Sequence, residues 1–313
     1  MKKTAIVTGG AGFIGSHLAE RLLKEGLRVV VIDDLSSGRK EFVPKHAKFV
    51  QMSVNDPRIA KVFLREKPTY VFHLAAQIDL RFSVAHPLED AETNIHGALR
   101  VLDACIATRV KKLIFSSSGG AVYDEHAVRP TPESAANLPS SPYGVAKYAF
   151  ELYLHSARRH FGLDSIILRY ANVYGPRQAS KGEAGVIGIF IKKIMAGERP
   201  TIFGDGRHTR DFVYVDDVVD ANILAMRSNR HGAFNISTGK ETSVQRIVEL
   251  LQKEFPGVSP RRGAAKIGDQ RHSALDARLA RRQLGWKPKV KIEEGIKRTV
   301  AWFKKHANDK DHA

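Results

Sequence analysis

Two side chains in the segment Ser-Pro-Tyr-Gly-Val-Ala-Lys are suited to acid–base chemistry. Tyr143 and Lys147 are spaced one helical turn apart, so a helix would place them on one face. A free tyrosine has a pKa of roughly 10 and is mostly protonated at neutral pH. A nearby ammonium group favours the phenolate and lowers that pKa. We therefore interpret Tyr143 as a general base for a substrate hydroxyl, activated by Lys147.

A predicted strand that begins at Lys111 runs into three consecutive serines, Ser116 to Ser118. A serine hydroxyl opposite Tyr143 can hydrogen-bond the same substrate oxygen. We predict Ser118, Tyr143 and Lys147 as the catalytic residues and keep Ser117 as a second candidate for the serine. Taken alone, a Tyr-x-x-x-Lys pair is more often an exposed pair on a helix, and it is the rest of the chain that favours catalysis.

The N-terminal segment from Thr8 to Gly15 has the pattern of a dinucleotide-binding turn. It follows a short strand-like run and opens a predicted helix over 13–24, whose N-terminus would favour a pyrophosphate. The next predicted strand ends at Asp33, where a carboxylate accepts ribose hydroxyls and repels a 2′-phosphate. We therefore predict NAD as the cofactor, and its positive nicotinamide ring would lower the pKa of Tyr143 further. The alternative, that Asp33 and Asp34 only cap a turn, fits this context less well.

The order of predicted elements indicates the fold that must position these groups. Apolar strands recur near residues 4, 28, 48, 70, 111 and 165, with helical stretches between them. This alternation predicts an α/β fold with a doubly wound parallel sheet. We predict an NAD-binding Rossmann domain over 1–172, to which a segment at about 210–238 returns, and a smaller, interleaved substrate domain over 173–313. The substrate should lie in the cleft beyond the carboxyl ends of the strands.

Composition limits the class of protein. The 313 residues carry one cysteine, Cys105, which excludes a disulfide framework, and no metal site is expected. The chain opens on a predicted strand, leaving no room for a signal peptide, and no apolar run approaches the ~20 residues of a membrane span. We expect a cytoplasmic enzyme without a membrane partner. The net charge of +17 is spread along the chain without interleaved aromatic residues, so a nucleic-acid partner is not expected.

With these motifs in place, the chain resembles the extended short-chain dehydrogenases/reductases, and within them the NDP-sugar epimerases of the UDP-glucose 4-epimerase type. The resemblance runs nearly from end to end. It is carried by the following segments: Thr8 to Gly15, His73 to Gln77, Asn94 to Gly97, Ser116 to Tyr123, Tyr143 to Lys147, Arg169 to Arg177, Gly182 to Phe190, Phe203 to Gly206, Arg210 to Asp217 and Asn235 to Gly239. The resemblance implies NAD-dependent 4-epimerisation of a UDP-sugar, with transient oxidation at C4 and return of the hydride.

The resemblance also implies which residues bind each ligand. For the cofactor these are Gly9, Gly12, Phe13, Ile14, Gly15, Asp33, Asp34, Ser36, Gly38, Ser53, Val54, Leu74, Ala75, Ala76, Gln77, Asn94, Ser116, Tyr143, Lys147 and Tyr170. For the substrate they are Ser118, Tyr143, Asn172, Val186, Phe203, Arg210, Asp269, Arg271 and Ser273. Among the latter, Asn172 and Arg210 are expected at the diphosphate, Val186 and Phe203 at the base, and Asp269 near its ribose.

Three positions, Ser53, Asp124 and Lys266, depart from the family pattern, and Asp124 stands where the family usually has glycine. Ser53 stands where an acid usually contacts adenine, although the backbone of Val54 can still serve. Lys266 replaces a usual arginine, and Arg271 can take its place. Ser273 stands where a bulky tyrosine would restrict the sugar C2 pocket, so UDP-GlcNAc and UDP-GalNAc are expected as substrates besides UDP-glucose and UDP-galactose.

Two alternatives to epimerisation remain open from the sequence. A net dehydrogenase or reductase acting on a nucleotide sugar would use the same groups, and a non-catalytic, RNA-associated relative would fit the charge. Dehydratase and decarboxylase relatives carry acids after the strand hydroxyl, where this chain has Gly119 to Val122, so epimerisation is favoured. The family pairs the equivalents of the predicted helices 88–107 and 143–160 across a two-fold axis, so we expect a homodimer.

Overall fold

The structure is a computed structural model that describes residues 2–178, 185–264 and 271–307. Asp269 and Lys266, both named above, lie outside the described residues. The strands are β1 Thr4–Thr8, β2 Arg28–Asp33, β3 Lys48–Gln51, β4 Tyr70–His73, β5 Lys112–Ser118, β6 Ser165–Tyr170, β7 Asn172–Tyr174, β8 Thr201–Phe203, β9 Thr209–Tyr214, β10 Gly232–Ile236, β11 Glu241–Ser243 and β12 Arg261–Gly263. The α-helices are α1 Phe13–Lys24, α2 Ile59–Glu66, α3 Leu80–Ala85, α4 Pro87–Ala91, α5 Ala98–Ala107, α6 Gly119–Val122, α7 Pro142–Phe161, α8 Val186–Met195, α9 Val215–Arg227, α10 Val244–Glu254, α11 Arg278–Leu284 and α12 Ile292–Lys305.

Seven parallel strands form the main sheet, in the order β10-β6-β5-β4-β1-β2-β3. The predicted doubly wound parallel sheet is confirmed. Thr8 at the end of β1 is in register with Ile32 on one side and His73 on the other, and Ser118 is in register with Tyr170. The carboxyl ends of the central strands therefore meet at one edge, where ligands of such sheets bind.

Helices cover both faces of this sheet, because successive residues of a buried parallel strand point to opposite sides. Along β1, Val7 packs into the core formed with α1 and α9, whereas Ile6 packs into the core formed with α2, α5 and α7. The helix over Phe13–Lys24, predicted from its apolar spacing, buries Leu18 and Leu22 in the first of these cores.

A smaller third core lies in the C-terminal half, where α8, α10 and α12 pack with β7, β8 and β9. Here β11-β9-β7 form one small sheet and β12-β8 another. The segment predicted to return to the first domain contains β10, which pairs with β6 along its whole length. The predicted division near residue 172 stays a prediction. In the described ranges, no helix is both long and apolar enough to cross a bilayer.

Candidate active site

The helix α7 begins where the predicted catalytic tyrosine requires it. Ser141 caps the helix by accepting a hydrogen bond from the amide of Gly144 at 3.2 Å, and Pro142 occupies the first turn. A side chain at Gly144 would meet the carbonyl oxygen of Ala121 at 2.2 Å, so glycine lets α7 approach α6 closely. This contact holds Tyr143 against the end of β5, and a hydrogen bond joins its hydroxyl to that of Ser118.

The structure separates the two candidate serines. The hydroxyl of Ser117 is buried and donates to Glu151 Oε1 at 2.6 Å. Glu151 in turn forms a buried ion pair with Arg169, whose Nη1 donates to the Tyr123 hydroxyl at 2.8 Å. The Ser117 hydroxyl is therefore engaged in a buried network of hydrogen bonds, whereas the Ser118 hydroxyl faces Tyr143.

Lys147 lies one turn along α7 and is buried, with an exposed fraction of 4%. Its Nζ donates to the carbonyl oxygen of Ser116 at 3.0 Å and lies 5.7 Å from the centroid of the Tyr143 ring. The hydroxyl of Ser116 pairs instead with that of Tyr170, at 3.0 Å. The side chains of Ser116 and Tyr170, both predicted near the cofactor, thus bond to each other in the interior.

The pKa values of Tyr143 and Lys147 are both influenced most by burial. Burial raises the pKa of Tyr143 to about 12, the hydrogen bond with Ser118 lowers it, and the charge of Asp90 raises it. Burial also lowers the pKa of Lys147 to about 8. In the structure, burial is the largest influence on the pKa of Tyr143, and the prediction that Lys147 and the nicotinamide ring together lower this pKa stays a prediction.

The predicted glycine turn forms a tight cradle between β1 and α1. Gly9 has a positive φ of 70°, and a Cβ there would lie 2.7 Å from the amide nitrogen of Ala75. A Cβ on Gly15 would lie 2.1 Å from the carbonyl oxygen of Gly9. Gly12 is the N-cap of α1 and forms no side-chain capping bond, so the amides of the first turn, including those of Phe13 and Ile14, have no side-chain cap. This is the geometry that a pyrophosphate requires.

Asp33 lies at the end of β2, beside the glycine turn. Its Oδ2 accepts from the amide of Ala11 at 2.9 Å and its Oδ1 from the amide of Leu35 at 2.9 Å. Burial raises the pKa of Asp33, and these two hydrogen bonds lower it. A Cβ on Gly38 would lie 2.7 Å from Asp33 Oδ1, so a larger residue at position 38 would crowd this carboxylate. Each carboxylate oxygen has a further lone pair for a ribose hydroxyl.

Four further positions of the predicted cofactor set lie in two short segments, one after β2 and one after β3. Asp34 Oδ1 accepts from the amide of Ser36 at 2.9 Å and from its hydroxyl at 2.6 Å. The hydroxyl of Ser53 accepts from the amide of Asn55 at 3.2 Å, and the side chain of Val54 is buried in the core beside Gly97. Their contacts to adenosine stay predictions.

Hydrogen bonds from backbone and side-chain amides hold the loop after β4 against the edge of the main sheet. Leu74 and Ala75 donate to the backbone and hydroxyl oxygens of Thr8, at 3.1 and 3.3 Å. Further on, past Ala76, the amide of Gln77 donates to Asn94 Oδ1 at 3.1 Å, and Asn94 Nδ2 donates to the carbonyl of Gln77 at 2.9 Å. Asn94 thus secures the loop from within the protein, and a direct contact with cofactor stays a prediction.

These features together fit an NAD molecule. A bare glycine turn at a helix N-terminus suits the pyrophosphate, a carboxylate at the end of β2 suits the ribose, and Tyr143 and Lys147 line the edge further along the sheet. Residues 5–237 match the family described as the NAD dependent epimerase/dehydratase family. The chain belongs to this family. The predicted family, and NAD as its cofactor, are thereby confirmed.

Solved structures agree with this membership of the epimerase family. UDP-glucose 4-epimerase from Thermotoga maritima, solved with UDP-glucose, is 48% identical, with a TM-score of 0.95 over 97% of this chain and 100% of that one. UDP-glucose 4-epimerase from Thermus thermophilus, solved with NAD, is 40% identical with a TM-score of 0.90 over 96% and 99%. UDP-N-acetylglucosamine 4-epimerase from Methanobrevibacter ruminantium, solved with UDP-N-acetylmuramic acid, is 39% identical with a TM-score of 0.93 over 98% and 100%.

The predicted substrate residues of this epimerase-family chain come from several elements. Asn172 begins β7 and Arg210 lies on the neighbouring strand β9, where its Nη1 donates to the carbonyl of Thr209 at 2.8 Å. Val186 begins α8, and Phe203 ends β8 with 43% of its surface exposed. The contact of Phe203 with a base stays a prediction.

A small cavity lies between α6 and the segment that leads into α11. Among its lining residues are Gly119, Tyr123, Asp124, Arg129 and Ser273. Ser273 is buried, and the backbone oxygen of the preceding Arg271 accepts from Thr209 at 2.9 Å. This segment therefore lies beside the end of β5 that carries Ser118.

Two buried carboxylates near Lys147 were missed from the sequence, namely Glu151 and Asp90. Glu151 is one turn beyond Lys147 on α7, and Asp90 precedes Asn94 by one turn. The sequence did hold a signal in both cases. Glu151 and Asp90 each lie one helical turn from a predicted site residue, and that spacing places the acid on the same helix face as that residue. An acidic residue at such a position is usually exposed, so the spacing alone did not single them out.

Proposed function

We propose that this protein catalyses the NAD-dependent 4-epimerisation of a UDP-sugar. The observation that carries the proposal is the contact of the half-buried Tyr143 with Ser118, beside Lys147, at the sheet edge that holds the glycine cradle. Membership of the epimerase family and the similarity to an epimerase solved with UDP-glucose support it.

In this proposal Tyr143 takes the proton of the sugar 4-hydroxyl, and Ser118 hydrogen-bonds the same oxygen. NAD, when bound, accepts the hydrogen of C4 with its electron pair and adds a positive ring that favours the phenolate. Lys147 holds the nicotinamide ribose and also favours the phenolate. After the 4-keto sugar has turned its other face, the hydride would return to C4 and Tyr143 would return the proton to the oxygen, so the reaction would be redox-neutral overall.

The remaining predicted residues would hold the two ligands. Asp33 would accept from the adenosine ribose, Asn172 and Arg210 would bind the diphosphate, and Phe203 would face the base. Guanidinium suits a diphosphate because it offers several donors in one plane. Ser273 leaves space near the sugar C2, so an acetamido group is also expected to fit.

The test is the substitution Tyr143→Phe, which removes one hydroxyl and keeps the ring. Loss of a general base lowers kcat by about 10²–10⁴-fold. His155→Gln on the same helix is the control, because this side chain is exposed and does not line the groove between α5 and α7. Conversion of UDP-glucose to UDP-galactose is followed by chromatography. Near-native turnover of Tyr143→Phe would refute the proposal, and net accumulation of NADH would indicate a dehydrogenase instead.

We also propose that the protein is a cytoplasmic homodimer that pairs through α5 and α7. A groove of about 420 Å³ between these helices is lined by Leu99, Ile106, Tyr153 and Phe161 among others. Leu152 on α7 and Phe161 are 54% and 65% exposed. Apolar side chains clustered on one exposed face are typical of an interface between subunits.

A further inference from the structure

Asp90 on α4 is a buried carboxylate that the proposed reaction leaves unused. Its exposed fraction is 1%. Oδ1 accepts from Gln77 Nε2 at 2.8 Å and from Asn94 Nδ2 at 2.9 Å. Oδ2 is buried and has no hydrogen-bond partner in the part of the chain that the structure describes. A buried carboxylate with one unpartnered oxygen is costly, which calls for a compensating role.

The helical segment that carries Asp90 is irregular at this point. The prediction of one helix over 88–107 is corrected by the structure, in which a π-helical segment, Glu92–Gly97, separates α4 from α5. The wider turn contains Asn94, which bonds to both Gln77 and Asp90. Such π-helical turns occur frequently at functional sites. Asp90 is thereby tied to the loop that lies against the glycine cradle.

Lys147 is the buried cation whose charge acts on Asp90, since α4 packs against α7. Burial lowers the pKa of Lys147, and the charges of Asp90 and then Glu151 raise it. Glu151 is already paired with Arg169, with 2.5 Å between Oε2 and Nη2. Burial raises the pKa of Asp90, whereas the hydrogen bonds from Gln77 and Asn94 and the charge of Lys147 lower it.

The other titratable groups near Asp90 and Lys147 do not supply a buried negative charge in place of Asp90. Burial lowers the pKa of His73 on β4 to about 3, so this imidazole is neutral. Tyr143 on α7 is protonated in the resting site, because burial raises its pKa. In the π-helical segment Glu92 and His96 are outward-facing and bond to each other at 2.8 Å, and Arg81 on α3 is exposed.

We propose that Asp90 is a positioning residue for epimerisation, whose buried carboxylate lies on the helix packed against α7, counters the charge of Lys147 and ties Gln77 and Asn94 to the sheet edge. This inference rests on the role that the proposed function gives to Lys147. An ammonium ion is the form that donates to a ribose hydroxyl with all three hydrogens and favours the phenolate of Tyr143.

The sign of the expected effect follows from the charges. Removing the Asp90 carboxylate withdraws a charge that raises the pKa of Lys147, so that pKa falls below about 8. The same charge raises the pKa of Tyr143, which falls as well. Both limbs of the profile of kcat against pH therefore move to lower pH. On the alkaline side, kcat falls about tenfold for each unit by which the pKa of Lys147 is lowered.

The experiment compares Asp90→Asn with Glu89→Gln, its exposed neighbour on α4. Asparagine keeps the shape and an oxygen that accepts from Gln77 and Asn94. We expect Asp90→Asn to lose more kcat at pH 8.5 than at pH 6, approaching tenfold for each unit by which the pKa of Lys147 falls. Glu89→Gln should follow the native profile. Asp90→Glu, which retains the charge, should keep the alkaline limb closer to its native position.

Several results would overturn the inference. An unshifted profile for Asp90→Asn, with or without a lower Tm, would show that Asp90 is structural. If Asp90→Asn and Asp90→Ala both fail to fold, Asp90→Glu decides the question because it retains the charge. A shifted alkaline limb of the kcat profile in Asp90→Glu would also show that Asp90 is structural. Tyr143→Phe is measured in the same series: if it retains turnover, the proposed function fails, whereas its inactivity together with an unshifted Asp90→Asn profile sinks only the role of Asp90.

Discussion

The two adjacent serines at the end of β5 are expected to respond to mutation in opposite ways. Ser118→Ala removes the hydroxyl that bonds to Tyr143, while the surrounding packing stays intact. Loss of one such donor at a reacting oxygen lowers kcat by about 10²–10³-fold. Because Ser118 ends the strand at the site and is partly accessible, we expect little change in Tm.

Ser117→Ala removes a hydroxyl that lies 2.6 Å from a charged oxygen of Glu151 and is 3% exposed. Hydrogen bonds to charged groups contribute about 1.5–3 kcal/mol, so the free energy of unfolding should fall by that order. In a protein of this size each kcal/mol corresponds to a few degrees in Tm, about 2–4 °C. Arg169 still pairs with Glu151 in this variant, so kcat should stay within a few-fold of the native value.

The assay measures kcat for UDP-glucose by chromatography and Tm by thermal unfolding on the native protein and both variants. A low kcat with native Tm is expected for Ser118→Ala, and a low Tm with near-native kcat for Ser117→Ala. The reverse pattern would refute the reasoning, because it would make Ser117 the hydroxyl that faces the substrate.

Three further predictions concern ligands and assembly. Calorimetry on the cofactor-free protein should show NAD binding at least about tenfold more tightly than NADP, because the buried Asp33 repels a 2′-phosphate; equal affinities would contradict its role. Ser273→Tyr should lower kcat/KM for UDP-GlcNAc relative to UDP-glucose, since the bulkier ring fills the cavity beside Gly119, and an unchanged ratio would exclude Ser273 as the determinant. Leu152→Glu on the exposed face of α7 should convert a dimer to a monomer in light scattering, whereas Leu64→Glu on α2, 58% exposed, should not.

The sequence by itself determined the features that depend on local spacing. The glycine turn, the helix over Phe13–Lys24 and the strand ending at Asp33 follow from patterns within one βαβ unit. The placement of Tyr143 and Lys147 on one face follows from the helical period. The alternation of strands and helices likewise predicted the parallel sheet, because a crossover helix is needed between parallel strands.

Only the tertiary structure decided how residues that are distant in sequence act on these functional groups. Whether Ser117 or Ser118 faces Tyr143 depends on Glu151 and Arg169, which come from α7 and β6 and occupy the hydroxyl of Ser117. The pKa of Tyr143 is raised mainly by burial against neighbouring elements, which spacing along the chain does not show. The charges that act on Lys147 come from Asp90 on α4, which packs against α7, and from Glu151. The π-helical segment that follows α4 is likewise not predicted by residue spacing. Charge and solvation act through space, so a pattern along the chain cannot specify them until the fold has brought the groups together.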